Sequence, residues 1–376
     1  MALLIGTAAH ADQTVAFAGL AYAGDAAQID ARYPVTRSLD ASLRESGNPA
    51  GKTIIAELKA HPPQNFAMQY AGMASLNGSD QALATALVIT NETISDERFG
   101  DMHKVLVGLR AQALVFDFRA MKIVRAYPLA ATYLDVMDHV PTKQESRDRV
   151  LRLLLGDTGK PGLFSRYAEV MSKAALPDSG SKYLQVAHVG IPDAALAHLP
   201  SALQAPGAAQ AWLADMMSEA MLNKSQVPML PYSAGYAIGN AMAMRFSDGD
   251  IFNLKLPAPD YSVDIDLKGF KRVDYGSSSA GSSYIYATYS HIKLAELMSG
   301  TTYLDADFKN GEVKNVPVTQ SQVDDLPAYA ESARGLFDKL ASALAGDNSD
   351  WLSAAASGEH IKNQIDNTRG VLKSCK

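Results

Sequence analysis

The chain has 376 residues, of which 47% are apolar and 20% are charged, the composition of a globular protein large enough for two domains. Its formal net charge is −6 and its lysines and arginines are spread along the sequence, which argues against a nucleic-acid partner. The single cysteine, Cys375, excludes a disulfide within one chain and a zinc site with two cysteine ligands.

The N-terminal residues are typical of the end of a secretory signal peptide. An apolar run begins at Leu3 and ends in the small-x-small pattern Ala9-His10-Ala11, which a signal peptidase requires. We therefore predict that residues 1–11 are a signal-peptide remnant and that the protein is bacterial and periplasmic or otherwise exported. No other segment reaches the roughly 18 to 20 apolar residues of a transmembrane helix, so the mature protein is expected to be soluble or peripherally attached.

The first domain is predicted to begin with a strand-helix-strand unit. The apolar run Val15–Leu20 indicates a buried strand, and helices are expected at Ser38–Ser46 and Ile54–Ala60. Gly47-Asn48-Pro49 separates these two helices, and a short strand is expected around Met68.

A long hairpin completes this first unit. Apolar residues occupy every second position across Lys104–Phe118, which predicts a strand with one continuous apolar face. These residues are Val105, Val107, Leu109, Ala111, Ala113 and Val115. The predicted partner strand is Lys122–Tyr127, across a turn at Arg119–Met121.

Two helices are predicted to join the halves of the chain. Thr142 and Glu145 have the spacing of a capping box, in which each side chain accepts a hydrogen bond from the backbone N–H of the other residue. A helix is therefore expected from here through Leu155, and a second one covers about Leu163–Ala175. Pro177–Ser181 is predicted to be the linker that follows.

The second half starts with the same succession of elements. A strand at Leu184–Ile191 precedes an amphipathic helix, and a short strand is expected around Leu230. The apolar stripe of the helix consists of Trp212, Leu213, Met216, Met217, Ala220 and Met221. An additional hairpin is predicted at Met242–Leu256, with its turn at Asp248-Gly249.

Further strands and two helices complete the second half. The predicted strands are Tyr261–Phe270, Ser283–Leu294 and Tyr303–Val316. The last strand is expected to turn at Asn310-Gly311, because both residues accept positive φ. An amphipathic helix is predicted at Leu326–Leu344, and a shorter helix at about Ala355–Val371.

Three short sequence echoes occur in the same order in both halves, as a duplication with drifting loops would leave. Val15–Leu20 echoes Val186–Ile191, Gln64–Tyr70 echoes Gln226–Tyr232, and Asp117-Phe118-Arg119 echoes Asp307-Phe308-Lys309. We predict an α+β fold of two related strand-helix-strand-hairpin domains with mixed or antiparallel sheets, a helical linker and C-terminal helices. The predicted boundaries are 1–11 for the signal remnant, 12–140 for the first domain, 141–181 for the linker, 182–320 for the second domain and 321–376 for the C-terminal helices.

This succession of elements resembles the small α/β domain of bacterial envelope proteins, typified by the amino-terminal domain of TolB and by the curli-secretion lipoprotein CsgG. The residues that carry the resemblance are Val15–Leu20 and Lys104–Tyr127 in the first half, and Leu184–Ile191, Trp212–Tyr232 and Tyr303–Val316 in the second. In that group the second strand often has a sequence like Val227-Pro228-Met229-Leu230-Pro231. The resemblance implies a role in envelope assembly or interaction rather than a reaction.

The sequence contains no recognisable catalytic motif, and we predict no catalytic, cofactor-binding or metal-binding residues. Gly156–Gly162 lacks the spacing and the preceding strand of a phosphate-binding loop, so a helix cap and a turn are expected there. The serine-rich segment Gly276–Ser283 lacks the spacing of a nucleophile elbow and is expected to be a hairpin loop. Neighbouring tyrosines favour a contact surface; they are Tyr275, Tyr284, Tyr286 and Tyr289.

The remaining candidates are not expected to form a site, and the acidic ones are expected to be ordinary surface residues. They are the loop residues Asp135, Asp138 and His139, the pair Asp264 and Asp266 on one strand face, Asp324-Asp325, the acidic run Glu92–Asp101, the scattered His188 and His198, and Cys375 on a tail. Asp135, Asp138 and His139 are residue types that ligate metals, but a solvated loop accounts for them equally well.

The sequence leaves three functions open. We favour a non-enzymatic periplasmic or cell-envelope protein that binds or helps assemble another envelope component. The alternatives are a hydrolase whose site is assembled between the domains, and a periplasmic small-molecule carrier that uses the interdomain cleft. An exposed apolar patch or an unpaired strand edge would favour the first. Buried, converging titratable groups in a closed pocket would favour the second, and a large dry cavity the third.

Overall fold

The computed structural model describes residues 13–71, 82–177, 180–232, 241–320, 323–347 and 350–376. The predicted signal-peptide remnant lies outside the described residues, as do residues 178 and 179 of the predicted linker. Helices are combined with sheets that contain both parallel and antiparallel strand pairs, so the predicted α+β class with mixed sheets is confirmed.

Most of the predicted elements are present, but the structure also contains elements that the sequence analysis did not predict, the longest of which is the strand Leu83–Phe99. In the first half the elements are β1 (Thr14–Ala23), α1 (Ile29–Arg32), α2 (Pro34–Glu45), α3 (Ala50–Ala60), β2 (Ala67–Gln69), β3 (Leu83–Phe99), β4 (Met102–Asp117), β5 (Lys122–Met137), α4 (Lys143–Leu155), β6 (Gly156–Asp157), β7 (Lys160–Pro161) and α5 (Leu163–Lys173). In the second half they are β8 (Leu184–Gly190), α6 (Asp193–Leu196), α7 (Ser201–Gln204), α8 (Ala208–Ala220), β9 (Ala241–Phe246), β10 (Ile251–Lys255), β11 (Tyr261–Ser278), β12 (Gly281–Glu296), β13 (Thr302–Pro317), α9 (Leu326–Ala345), α10 (Trp351–Ala355), β14 (Ala356–Ser357) and α11 (Ile361–Leu372). A π-helix, Met221–Ser225, extends α8.

The first sheet has the strand order β2-β1-β3-β4-β5 and continues through β10 and β9. β1 is parallel to β2 and β3, whereas β3, β4 and β5 are antiparallel to one another. β9 pairs with β1 at Ala21–Ala23, and β10 pairs with β5 at Lys122. The β9–β10 hairpin, which the sequence assigns to the second domain, therefore pairs with both edges of the first sheet.

The second sheet has the order β14-β13-β12-β11-β8. β8 is parallel to β11, and β11, β12 and β13 are antiparallel to one another. Leu230 forms a parallel bridge with Gln185 of β8, in the position that β2 occupies beside β1. The two halves thus repeat one order and direction of strands in separate sheets, while their origin by duplication stays a prediction.

The predicted turn at Asn310-Gly311 is wrong, because β13 runs unbroken through both residues. Asn310 is buried, its amide nitrogen donates to the main-chain oxygen of Ser332 at 3.0 Å, and Lys339 donates to its Oδ1 at 2.6 Å. These contacts with α9 override the local turn preference. The third sequence echo also joins non-equivalent positions, since Asp117 ends β4 whereas Asp307 lies inside β13.

Two other segments are strands where the sequence predicts loops. β5 continues past Pro128 to Met137, so Asp135 lies in a strand; proline is tolerated on an edge strand because its missing N–H would point away from the ladder. β11 and β12 remain paired as far as Ser278 and Gly281, which converts most of the serine-rich segment into strand.

The two faces of the first sheet bury different partners. One face packs against α1 to α5, and the apolar side chains predicted for β4, Val105 to Val115 at every second position, are all buried there. The other face is rich in alanine, which lets α8 approach closely; these residues include Ala16, Ala21, Ala84, Ala86 and Ala126. α8 contacts β5 of the first sheet and β8 of the second, so its predicted apolar stripe is fully buried between the halves.

Candidate functional site

The outer part of β5, residues 130–136, forms a strand edge that we call the β5 edge. Among the described residues, β5 has an outer neighbour only at Lys122, where it meets β10. Arg166 of α5 donates to the main-chain oxygen of Ala130 at 2.9 Å, so that carbonyl points outward. Alternate residues of an antiparallel strand direct their backbone N–H and C=O groups to the same side. The backbone groups of Thr132, Leu134 and Val136 therefore also point outward, away from β4. The backbone N–H of Val136 donates a hydrogen bond to the carboxylate of Asp135.

Apolar side chains are exposed beside this edge. Leu134 is 56% exposed and Val136 is 50% exposed, and Leu134 lies directly opposite Leu106 of β4. Leu134 also lines a cavity of 260 Å³, whose opposite wall includes Trp212 of α8 and Leu326 of α9. The β5 edge therefore borders a small cleft between the two halves of the molecule.

Charged side chains of both signs surround the β5 edge. Lys104, Arg110 and Arg149 are neutralised by ion pairs with Glu97, Glu219 and Asp135. Among the described residues near the edge, three arginines form no ion pair, although Asp135 and Asp157 lie near Arg152, and Glu331 and Asp338 lie near Arg334. These arginines are Arg152 and Arg166 on the helix side and Arg334 at the cavity. The exposed side chains of Arg152 and Arg166 consequently favour carboxylates on the helix side of a bound segment.

A group of buried titratable side chains lies deeper in the interface. Asp215 of α8 is 4% exposed and accepts hydrogen bonds from Thr90 at 3.2 Å and from Gln112 at 3.4 Å. Burial raises the pKa of Asp215 to about 6, against the lowering effect of Arg110. Arg110 donates to Glu219 at 2.7 Å and lines the 260 Å³ cavity, whereas Asp215 does not. This carboxyl group is closed off from that cavity, so the arrangement joins α8 to the first sheet rather than presenting an acid to a substrate.

A second ionic contact joins the halves at the far end of β3. Glu97 is 1% exposed, which corrects the expectation that the acidic run is a solvated face. It accepts hydrogen bonds from Lys104 of β4, from Lys314 of β13 and from the backbone N–H of Asp324. Burial raises the pKa of Glu97, but the two lysines lower it by more, so the pKa lies below its ordinary value. Glu97 is therefore a charged link between the sheets.

The structure separates the residues that the sequence grouped as metal-ligand types. Asp135 is held in β5 by Arg149, whereas His139 is exposed and contacts Asp138 at 2.7 Å and Glu145 at 2.9 Å. Hydrogen bonds to both acids raise the pKa of His139. Within the described ranges, no three His, Cys, Asp or Glu side chains are arranged to hold a metal ion.

The other predicted sites occupy varied positions. Asp264 and Asp266 share one strand face as predicted, and His188 lies 3.6 Å from Asp266; burial raises the pKa of Asp264. Gly156 ends α4 with φ of 92°, confirming a helix cap and turn. Cys375 is buried, and burial raises the pKa of its thiol to about 11.

The serine-rich segment and its tyrosines do not form one contact surface. Tyr275 is 67% exposed, but Tyr286 is fully buried and donates to Asp325. Asp325 also pairs with Arg272, and Asp324 accepts from Ser95 of the first sheet. Asp324 therefore belongs to the contacts between the halves, whereas Asp325 is held within the second half, and neither lies on an open surface.

Comparisons with known proteins do not place the chain in a family. No protein-family model matches it, and no curated protein matches it. A search of solved structures found protein XCC0632 from Xanthomonas campestris, of family DUF330, with a TM-score of 0.23 and 14% identity, covering 45% of this chain and 87% of that one. A likeness at this level supports no conclusion about fold or function. Within the described part of the chain, no helix has the length and apolar character required to cross a membrane.

Proposed function

We propose that this is a non-enzymatic protein of the bacterial cell envelope that binds an extended segment of another envelope protein at the β5 edge. The observation that carries the proposal is the outward-facing backbone of Thr132 and Leu134 beside exposed apolar side chains. A strand added here would pair with these backbone groups, and its side chains would cover Leu134 and Val136. Free strand edges with exposed apolar groups are otherwise an aggregation hazard, which favours a dedicated partner.

The partner segment is inferred to be acidic, with apolar residues at alternate positions. Alternation places one set of its side chains over Leu134 and the adjoining cleft, while its carboxylates, on the opposite face, would face Arg152 and Arg166. The envelope location rests on the signal-peptide pattern of residues 1–11 and on the resemblance to the TolB and CsgG domains. The hydrolase alternative has less support, because Asp215 is enclosed.

A site-specific cross-linking experiment tests the binding surface. A photoreactive residue replaces Leu134 in one variant and Ile251, which is 54% exposed on β10, in the control. We expect one partner to be captured from position 134 and not from 251. Thr132→Pro removes an outward backbone N–H, as the natural Pro128 does, so capture from position 134 should be lost. Thr132→Val keeps that N–H and should retain the capture.

The outcomes that contradict the proposal are distinct. If the Thr132→Pro and Thr132→Val variants capture the partner equally well from the photoreactive residue at position 134, strand addition is not the binding mode. Urea unfolding of the purified variants checks that both fold. The location has its own test, since fractionation that places the native full-length protein in the cytosol overturns the envelope role.

A further inference from the structure

The outer face of the second sheet, which points away from α8 and α9, carries exposed polar side chains. Along β11, β12 and β13, buried residues that pack towards the helices alternate with more exposed ones. Asp266, His291 and Asp307 lie side by side on the outer face, and Tyr289 and Lys309 follow at the next level. This face therefore presents charged groups and an aromatic ring in a fixed order.

A β-bulge in β11 decides which lysines reach the outer face. The pairing of β11 with β12 shifts by one residue between Leu267 and Gly269, so Lys268 is an extra residue. Because such a residue resets the alternation of its strand, Phe270 points inward and is buried, whereas Lys271 is exposed. Both Lys268 and Lys271 are consequently exposed on the outer face.

Three lysines line a cavity on this face. Its volume is 360 Å³, within the range of about 300–1,000 Å³ that small-molecule sites occupy. Lys268 and Lys271 of β11 and Lys309 of β13 flank Tyr289 of β12, and the ammonium of Lys271 lies 5.1 Å from the centroid of the Tyr289 ring. Gly269, opposite Tyr289, leaves the space open, because an added Cβ would meet no described atom beyond its chain neighbours within 4 Å.

The cavity carries an excess of positive charge. Within the described ranges, Lys268, Lys271 and Lys309 form no ion pair. The acid in the described lining is Asp307, whose Oδ1 lies 2.9 Å from Nδ1 of His291. The other acids of the outer face lie outside the lining, nearer to the start of β11 and β13; they are Asp264, Asp266 and Asp305. Three ammonium groups therefore share the cavity with one carboxylate, in a chain whose net charge is −6.

The three ammonium groups specify the charge of the ligand. An ammonium is a compact charge with three donors, and lysine is a common ligand of phosphate oxygens in proteins. A carboxylate carries a single charge, whereas a phosphomonoester carries about two at neutral pH and presents three acceptor oxygens. Ser357 of β14 adds a hydroxyl group to the lining. The lining is consequently suited to a phosphate group rather than to a carboxylate.

We propose that this cavity binds a phosphate-bearing ligand, with a phosphomonoester or diphosphate group held by Lys268, Lys271 and Lys309. Two sources share this chemistry, a soluble phosphate compound and the head group of an anionic phospholipid. Val273 and Val313, which are 47% and 56% exposed on the same face, would contact the apolar part of a lipid. The cavity shares no described lining residue with the cleft beside the β5 edge, so this site does not depend on the proposed function.

Calorimetric titration of the full chain with inorganic pyrophosphate at low ionic strength tests the site. We expect a Kd of the order of 100 μM, and binding of acetate at least about tenfold weaker. Sedimentation with phosphatidylcholine vesicles that contain phosphatidic acid, compared with vesicles of phosphatidylcholine alone, tests the lipid source. Binding to the first vesicles and not to the second identifies a lipid head group, and binding of pyrophosphate without vesicle binding identifies a soluble ligand. Equal affinity for acetate and pyrophosphate, or binding of neither pyrophosphate at about 5 mM nor the phosphatidic acid vesicles, would overturn the proposal.

Variants that each remove one positive charge distinguish this site from general attraction of anions. Lys271→Gln and Lys309→Gln should each weaken the binding of whichever phosphate probe binds about tenfold. The matched control is Lys293→Gln, which removes the same charge from the same face, between Asp264 and Asp305 and outside the lining. It should bind like the unaltered protein, and an equal loss in Lys293→Gln would show that the attraction is not specific to the cavity. Urea unfolding checks the folding of each variant, and either of the two exposed lysines of the lining is sufficient for the test.

Discussion

Two buried carboxyl groups at the interface between the halves differ in the direction of their pKa shifts. The pKa of Asp215 is raised to about 6 because burial outweighs its hydrogen bonds and Arg110. The pKa of Glu97 is lowered, although burial acts to raise it, because Lys314 and Lys104 both donate to its carboxylate. Their exposures, 4% and 1%, are nearly equal, but Asp215 lies deeper among protein atoms, so the depth of burial and the directly bonded cations together decide which group keeps its charge.

The two groups make the stability of the interface depend on pH in opposite ways. Folded Asp215 binds more protons than the unfolded chain between its ordinary pKa of 3.8 and about 6, so its contribution to stability falls as pH rises through that window. Folded Glu97 has a pKa below 4.5, so its contribution is present above that value and is lost as pH falls through the lower, folded pKa. At neutral pH the ionised Glu97 therefore stabilises the interface between the halves, whereas the ionised Asp215 destabilises it.

The largest effect is expected for Glu97→Gln. The substitution leaves Lys104 and Lys314 without their shared anion, and removing one partner of a buried pair costs about 3 kcal/mol. Urea unfolding at pH 7 should show this decrease in the free energy of unfolding, whereas Glu331→Gln, at an exposed acid of the cavity wall, should show almost none. A decrease below about 1 kcal/mol, typical of surface ion pairs, would mean that Glu97 does not join the halves.

Asp215→Asn is expected to increase the free energy of unfolding, in contrast to Glu97→Gln. The amide removes the cost of holding a buried carboxylate, so the free energy of unfolding at pH 8 should rise by about 2 kcal/mol. The gain should shrink as pH falls towards 4, because the wild-type carboxyl group is then neutral in the folded protein. Unfolding curves at several pH values measure this, and a gain that is independent of pH would contradict the raised pKa.

Local signals were sufficient for much of the fold. The apolar alternation of β4 and the capping box of Thr142 and Glu145 predict their elements correctly, because both depend on neighbours in the sequence. Asn310-Gly311 shows the limit, since contacts with α9 decide its conformation. The partner of the β9–β10 hairpin could not be predicted either, because pairing between distant strands leaves no local pattern.

The candidate surfaces were less accessible to sequence reasoning. The sequence analysis predicts that the strand ends before Pro128, but a proline inside a strand also indicates an edge, and that interpretation identifies the β5 edge. Asp215 carries a weaker signal, because its burial and its partners come from residues far away in the sequence. It stands directly before the apolar pair Met216-Met217 of the predicted stripe, which is a weak indication of a buried polar contact.

The smallest effect is expected for Thr90→Val, which removes the hydroxyl that donates to Asp215 at 3.2 Å. That hydrogen bond favours the charged carboxylate, so its loss should raise the pKa of Asp215 further above its ordinary value and lower the free energy of unfolding at pH 8 by about 1 kcal/mol. Carbon-13 NMR titration of the Asp215 carboxyl group measures the midpoint. Thr93→Val, on the same strand but bonded to Asn91, should leave it unchanged. A midpoint that does not rise in Thr90→Val would show that this hydrogen bond does not stabilise the charged form of Asp215.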